Sequence, residues 1–445
     1  MSQTKCLSLF AGVAASLSAA SVTLADSQSW TESGMNADEV RAIVSEMLAD
    51  ADNRSSLLQS GSAGHDGNHF YLAGSGFKLT VGGQIQFRYI ANFGDDGGIR
   101  GDSFESGFQT RRTRLEFGGE AWGDWGYFVQ GDFGTGGGFM LLDGWVSRSL
   151  DNGWGLRWGQ FKLPFLREEL VSDKRQLAAD RSFTNDVFTM GRAQGIELQW
   201  EGDDWRFAFA FSDGGGSLNT DITANKVIGA TYDPVSSALT GFALSGGEAE
   251  YALTGRAEWK WAGNWSDFDD FTANANEEYS GMVGAALHWE GGEAGSFDSV
   301  GAPINVDYTL FAWTVDASVE GNGWNLFGAY VGTQLDTDDF ADDVTDHGFV
   351  VQGGVLIPDS DWELFARWDA VLPDGDRAGD DAFNTLTLGT NYYLNGHAAK
   401  FTFDVQWFFD EGAMNDLAST NTSVGYIFDD QDGQVALRGQ FQLLF

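Results

Sequence analysis

The 445-residue sequence predicts an all-β chain, a transmembrane antiparallel β-barrel of about sixteen strands preceded by a short periplasmic helix. Three observations predict it. Segments of about ten residues alternate apolar and polar side chains, as a strand does when one face meets lipid and the other water. Val435, Leu437, Gly439, Phe441, Leu443 and Phe445 share one face of the last segment, and Ala436, Arg438, Gln440, Gln442 and Leu444 share the other. Leu79, Val81, Ile85, Phe87 and Tyr89 alternate in the same way with Lys78, Thr80, Gln84, Gln86 and Arg88, and Phe401, Phe403, Val405 and Trp407 with Lys400, Thr402, Asp404 and Gln406. Beyond the N-terminus, no apolar run reaches the roughly 18 residues a spanning helix needs. The composition, 60 Gly, 35 Phe and 17 Trp against 5 Pro, suits strands with aromatic girdles and glycine turns.

From the N-terminus, Lys5 followed by the small and apolar stretch Leu7 to Leu24 reads as an export signal over residues 1–25, with Thr23-Leu24-Ala25 at its cleavage site. The single cysteine, Cys6, lies inside that segment, so a mature chain has no thiol, disulfide or cysteine-bound metal. Residues 26–76 read as a periplasmic segment. Asn36 with Glu39 forms a capping-box signal, and Val40, Ile43, Met47 and Leu48 follow helical spacing, predicting a helix near 36–59. Its apolar stripe needs a partner, either copies of itself in a short coiled coil or the mouth of the barrel. Residues 77–445 form the barrel domain. Strands are expected near 77–89, 110–120, 125–133, 140–148, 155–161, 194–201, 205–212, 250–260, 281–289, 308–319, 324–332, 347–356, 362–369, 383–393, 399–408 and 435–445. Trp122-Gly123-Asp124, Gly202-Asp203-Asp204, Gly321-Asn322-Gly323 and Asn395-Gly396 read as tight turns, and 90–109, 213–249, 370–382 and 409–434 as long loops between them. The connector 261–280 breaks this rule, because it is long where a short turn is due. Either it carries extra structure or the strand count is wrong there.

A sheet in lipid must close, because unpaired backbone amides cannot face hydrocarbon. A barrel of about sixteen strands leaves an aqueous lumen, which predicts a channel in the bacterial outer membrane. The inward positions carry charge. Thr113, Leu115 and Phe117 on the lipid face turn Arg112, Arg114 and Glu116 inward, Leu156 and Trp158 do the same for Arg157, and Trp205, Phe207, Phe209 and Phe211 for Arg206. A charge on the lipid face at the midplane would cost roughly 2–4 kcal/mol. Of the 25 Lys and Arg, 15 lie between Lys78 and Arg206 and only four follow Trp261, so one half of the wall is basic. Inward carboxylates such as Glu116, Asp132 and Glu197 are available to pair with some of them.

Within 160–193, the stretch Gly159-Gln160-Phe161-Lys162-Leu163-Pro164-Phe165, then Glu168-Glu169-Leu170, Arg181-Ser182 and Gly191-Arg192, resembles the phosphate-selective porins O and P. With Arg112-x-Arg114 and the closing Phe445, the resemblance covers residues 77–445. It implies a sixteen-stranded homotrimer whose third loop folds into the lumen and sets the constriction. It also implies Lys162, Arg167, Lys174, Arg175, Arg181 and Arg192 near that eyelet, and phosphate among the permeant ions. The loop departs from the pattern in carrying Glu168, Glu169, Asp173, Asp180 and Asp186 as well, with Asp180 where a Glu commonly precedes Arg-Ser. An outer-membrane barrel is further expected to meet lipid and lipopolysaccharide, and to engage the barrel-assembly machinery through Phe445.

The net charge of −40 gathers in loops: Asp95-Asp96, Asp336 through Asp343, Asp374 to Asp381 and Asp429-Asp430-Asp432. Divalent cations could bridge such carboxylates to lipopolysaccharide, or the loops are simply solvated. A nucleic-acid partner is excluded on charge, since the phosphate backbone would be repelled. No Gly-x-Ser-x-Gly, His-Glu-x-x-His or Gly-x-x-x-x-Gly-Lys is present, so neither a catalytic residue nor a cofactor is assigned. His65 and His69 share a Gly/Asp/Asn-rich stretch that reads as a linker more readily than as a metal site. The function predicted is passive diffusion of small hydrophilic solutes and ions. An adhesive or structural barrel with cation-bridged acidic loops is the second reading.

Overall fold

In the computed structural model the alternation is converted into a closed wall. The structure describes residues 62–65 and 69–445 except 95–102, 135–137, 220–225, 234–237, 273, 276, 298–302, 338–342, 378 and 429. The export signal, Cys6 and the helix expected near 36–59 lie outside the described residues. Sixteen strands form the wall: β1 Phe77–Phe93, β2 Phe104–Ala121, β3 Trp125–Asp132, β4 Met140–Ser149, β5 Trp154–Lys162, β6 Arg192–Glu201, β7 Trp205–Ser212, β8 Ala238–Ala262, β9 Ser280–Phe297, β10 Pro303–Gly321, β11 Trp324–Thr337, β12 Val344–Leu356, β13 Trp362–Leu372, β14 Phe383–Asn395, β15 Ala399–Phe408 and β16 Val435–Leu444. Each pairs antiparallel with the next, and β16 returns to β1 from Val435↔Phe93 to Leu444↔Gln84, so the sheet has no open edge within the ring. All sixteen fall on the segments that alternation predicts.

Among the described residues, three further strands lie outside this ring. Ser62–His65 and Phe70–Gly74 pair with each other, and Phe70–Gly74 continues the ladder on β1 below the point where Phe445 ends it. The Gly-rich stretch around His65 and His69 is thus partly a strand pair. Lys226–Asp233 forms a hairpin with the start of β8, inside what the sequence suggests is a loop. The connector after β8 carries extra structure, as one of the two alternatives required. Its 3₁₀ turn Trp265–Asp269 is held by a capping box between Asn264 and Asp267.

The tight turns have a backbone reason. Asn322 and Gly323 both take positive φ (36° and 82°), the requirement of a two-residue turn matched to strand twist. Gly159, inside the Gly-Gln-Phe-Lys stretch, sits at φ 128°, and a Cβ there would lie 2.2 Å from the Gly144 carbonyl oxygen. Gly159→Ala is therefore expected to destabilise the barrel by roughly 1–3 kcal/mol. Gly155→Ala, whose Cβ would meet only Arg148 O at 3.8 Å, should be silent. The thermal midpoint followed by tryptophan fluorescence compares the two.

The third loop and the lumen it divides

Side chains on the inner face meet a loop rather than open water. The chain leaves β5 at Lys162 and returns to β6 at Arg192, with Leu163 N donating to Gly191 O (2.9 Å) to close the base. Between them lie a helical turn α1 (Arg167–Leu170), a 3₁₀ turn (Asp173–Arg175) and a second short helix α2 (Phe183–Phe188) capped by the Ser182 hydroxyl, which accepts from Asn185 N at 2.9 Å. None of these would persist alone at three to six residues. They persist because apolar side chains anchor them to the inner wall. Phe165, Phe183, Phe188 and Leu163 are buried, and Phe183 packs on Phe383 (centroids 4.8 Å), Phe408 and Tyr426. Val171, Leu177 and Ala178 pack with Phe327, Val350 and Phe365.

Polar wall residues complete the anchorage by donating to the loop backbone. Lys400 reaches Gln176 O (2.8 Å), Asn391 reaches Leu177 O (3.0 Å), Arg367 reaches Asp180 O (2.8 Å) and Gln442 reaches Lys174 O (2.9 Å). The loop carbonyls that would otherwise be buried without partners are satisfied this way. Asp404 accepts from Ala179 N (2.9 Å) while pairing with Arg438 (2.6 Å). The loop therefore lies along β8 and β10–β16, reaches β1 and β2 through its charged side chains, and leaves the wall from β3 to β7 uncovered.

Two loop carboxylates act as latches. Asp180 pairs with Arg88 on β1 and with Arg111 and Arg112 on β2, and Asp173 pairs with Arg112 (3.0 Å) and Arg114. Burial alone would raise both carboxyls. For Asp180 the guanidiniums of Arg111, Arg88 and Arg112, and for Asp173 those of Arg114 and Arg112, outweigh that and hold them well below the ordinary carboxylate range. In the sequence these acids stand out as a departure from the resembled pattern; the geometry sets Asp173 and Asp180 against arginines of β1 and β2. Nothing local in the sequence signals this, since Arg88 and Asp180 are joined only by closure of the barrel.

The residues expected at the eyelet divide into two groups. Arg167 donates to Ser318 Oγ of β10 and to Phe268 O of the connector after β8, tying the loop to both, while Arg181 donates to Glu168 O and Val171 O and is turned into the loop's own framework. Lys174 pairs with Glu116, which also accepts from Gln130, and Arg175 pairs with Asp269 at 3.3 Å. Arg112 is buried between the two latches. The second group faces space. A cavity of about 300 Å³ is lined by Arg114, Arg157, Lys162 and Arg192 together with Asp143 and Asp173. A second, of about 420 Å³, is lined by Arg157, Arg206 and Arg256 together with Glu197 and Glu258. Arg157 and Leu170 border both. Arg157 is held by Glu197 (2.8 Å) and lies over the Phe161 ring (4.4 Å) and near Trp145 (5.5 Å). Arg192 pairs with Asp143 (2.8 Å), Arg206 with Glu201 (2.8 Å), and Lys162 donates to Glu169 O (2.5 Å). Arg256, bidentate to Asp316, was not singled out from sequence, although its place between Gly255 and Ala257 put it on the inner face.

A closed sixteen-stranded wall, an inward loop and charged cavities are the parts of a diffusion channel. Residues 81–421 match the family model of phosphate-selective porin O and P. The chain belongs to that family. It is a porin of the outer membrane and not an enzyme. Solved structures agree on the fold. The anion-selective porin from Comamonas acidovorans is 16% identical, with a TM-score of 0.55 over 83% of this chain and 100% of its own. OmpT of Vibrio cholerae is 11% identical, with a TM-score of 0.54 over 84% and 100%. The same protein solved in a trimer form is 10% identical, with a TM-score of 0.53 over 83% and 99%. No curated protein sequence matches the chain.

Proposed function

We propose that this porin passes small anions, phosphate among them, along the wall from β2 to β7. The observation that carries the reading is Arg157, the charged side chain shared by both cavities on that wall. Arg114, Lys162 and Arg192 lie on one side of it and Arg206 and Arg256 on the other. The other cations expected at the eyelet, Arg112, Arg167, Lys174, Arg175 and Arg181, serve to hold the third loop. Among the loop acids, Asp173 and Asp180 are spent on latching, so the acids that pair with Arg157, Arg192 and Arg206 are Glu197, Asp143 and Glu201 of the wall. The Comamonas porin of the same fold is described as anion-selective, which supports the reading.

The functional unit is a homotrimer exported with residues 1–25 removed and embedded among outer-membrane lipid and lipopolysaccharide. β3 to β7 are eight to ten residues long against 13 to 25 for β8 to β12, so one side of the wall is low. About nine to eleven residues are needed to cross the apolar band, and a neighbouring copy would cover the low side. Phe445, seated against Gly83 through two backbone hydrogen bonds (2.8 and 3.1 Å), supplies the terminal aromatic for the barrel-assembly machinery.

Planar-bilayer recording tests the reading. Purified protein is expected to give ohmic pores whose reversal potential in a KCl gradient has the sign for chloride, with phosphate in the bath reducing the chloride current. A folded barrel that is silent would refute the channel, and a potassium-signed potential at moderate salt would refute the anion path.

A further inference from the structure

The segment Trp265–Thr272 belongs to the connector between β8 and β9, on the side where every other connection is a short turn. It reaches residues on the far inner wall. Phe271 is buried against Phe327 of β11 (centroids 4.8 Å), in the same apolar cluster as Val171 and Leu177 of the third loop. Thr272 Oγ1 lies 3.0 Å from the Tyr393 hydroxyl of β14, and Asp270 lies 3.5 Å from His397 beyond it. At its near end Trp265 donates its indole N–H to Gly202 O (2.9 Å), between β6 and β7. The segment therefore crosses the lumen on the periplasmic side.

It touches the third loop in three ways. Arg167 donates to Phe268 O (2.8 Å) and lies over the rings of Phe268 and Phe271 (5.8 and 5.5 Å), and Arg175 pairs with Asp269. It also borders the passage, since the Arg206 guanidinium lies 4.3 Å over the Trp265 ring. That stack fixes where the last cation of the larger cavity stands.

We propose that Trp265–Thr272 is a second constriction element, built from the periplasmic side. It underpins the third loop and closes the lumen beneath it, so that solutes leave along the wall bearing Arg157, Arg206 and Arg256. The segment is thus a determinant of selectivity as well as of pore size. This rests on the anion-path reading, but it makes a separate demand on the outlet. A wide outlet would place permeant ions beyond the reach of Arg206, because charges separated by more than about 8 Å are largely screened at about 0.15 M salt.

The test replaces residues 264–278 by Asn-Gly and records single channels in KCl. The expected result is a conductance at least doubled, with a reversal potential moved toward zero. Trp265→Ala, which frees Arg206 without shortening the chain, should leave conductance within a third of the parent and reduce the reversal potential. If both folded variants match the parent in conductance and reversal potential, the segment is not a constriction, although the parent's own anion-signed pores would still support the channel reading. Should the shortened chain fail to assemble, Trp265→Ala together with Phe271→Ala decides, and parental recordings from that pair overturn the proposal.

Discussion

Asp180→Asn unlatches the third loop, raising single-channel conductance and making the open level noisy. Asp180 is 3% exposed and faces Arg88, Arg111 and Arg112 at once. Removing its charge leaves three guanidiniums with one carboxylate, Asp173, among them. Breaking one partner of a buried ion network costs about 3–5 kcal/mol, much of it from the uncompensated charge left behind. The wall itself is held by strand pairing, so the loss falls on the loop, whose short helices have no stability of their own. Asp186→Asn is the contrast. It lies in the same loop, but it is exposed and accepts one bond from Asn421 (2.8 Å), so its channels should resemble the parent's. Parental quiet openings from a folded Asp180→Asn porin would show that the apolar anchors alone seat the loop.

The barrel was legible because lipid forces it to be. Each strand must alternate, and residues such as Phe87 and Arg88 have no freedom to exchange faces without setting a charge in hydrocarbon. The sign of each inward residue was readable for the same reason, including Arg114, Arg157 and Arg206. What alternation does not encode is which inward charges meet. Arg88 and Asp180 are brought together by closure, and Lys400 finds Gln176 O on the loop folded against its wall. Composition placed a basic half-wall between Lys78 and Arg206 but did not separate anchors from passage. Arg112 and Arg114 sit two residues apart on one face, yet one is buried between two latches and the other borders a cavity. The segment Trp265–Thr272 was visible only as an anomaly of length. Its proposed role rests on Phe271 reaching Phe327, a contact between a connector and a strand that no local pattern predicts.

Selectivity should turn on Arg157 more than on Arg114. Arg114 shares Asp132 and Asp173 with the latch, so its charge is largely compensated where it stands. Among the described residues Arg157 pairs with one carboxylate, Glu197, and it borders both cavities. Arg157→Glu sets two carboxylates side by side at that point, a change of two charges where little water intervenes. The reversal potential is expected to change sign toward potassium. Arg114→Glu should move it in the same direction by a smaller amount. Ionic strength separates this local effect from the chain's overall charge of −40. At about 0.15 M salt the Debye length is about 8 Å, so loop carboxylates at the mouth are screened from the passage, whereas at about 0.01 M it grows to about 30 Å and they are not. The parent porin should accordingly prefer anions at the higher salt and lose that preference at the lower. Arg157→Glu should prefer cations at both. If neither substitution moves the potential at either salt, the arginines of β2 and β5 are a structural network and the filter lies elsewhere.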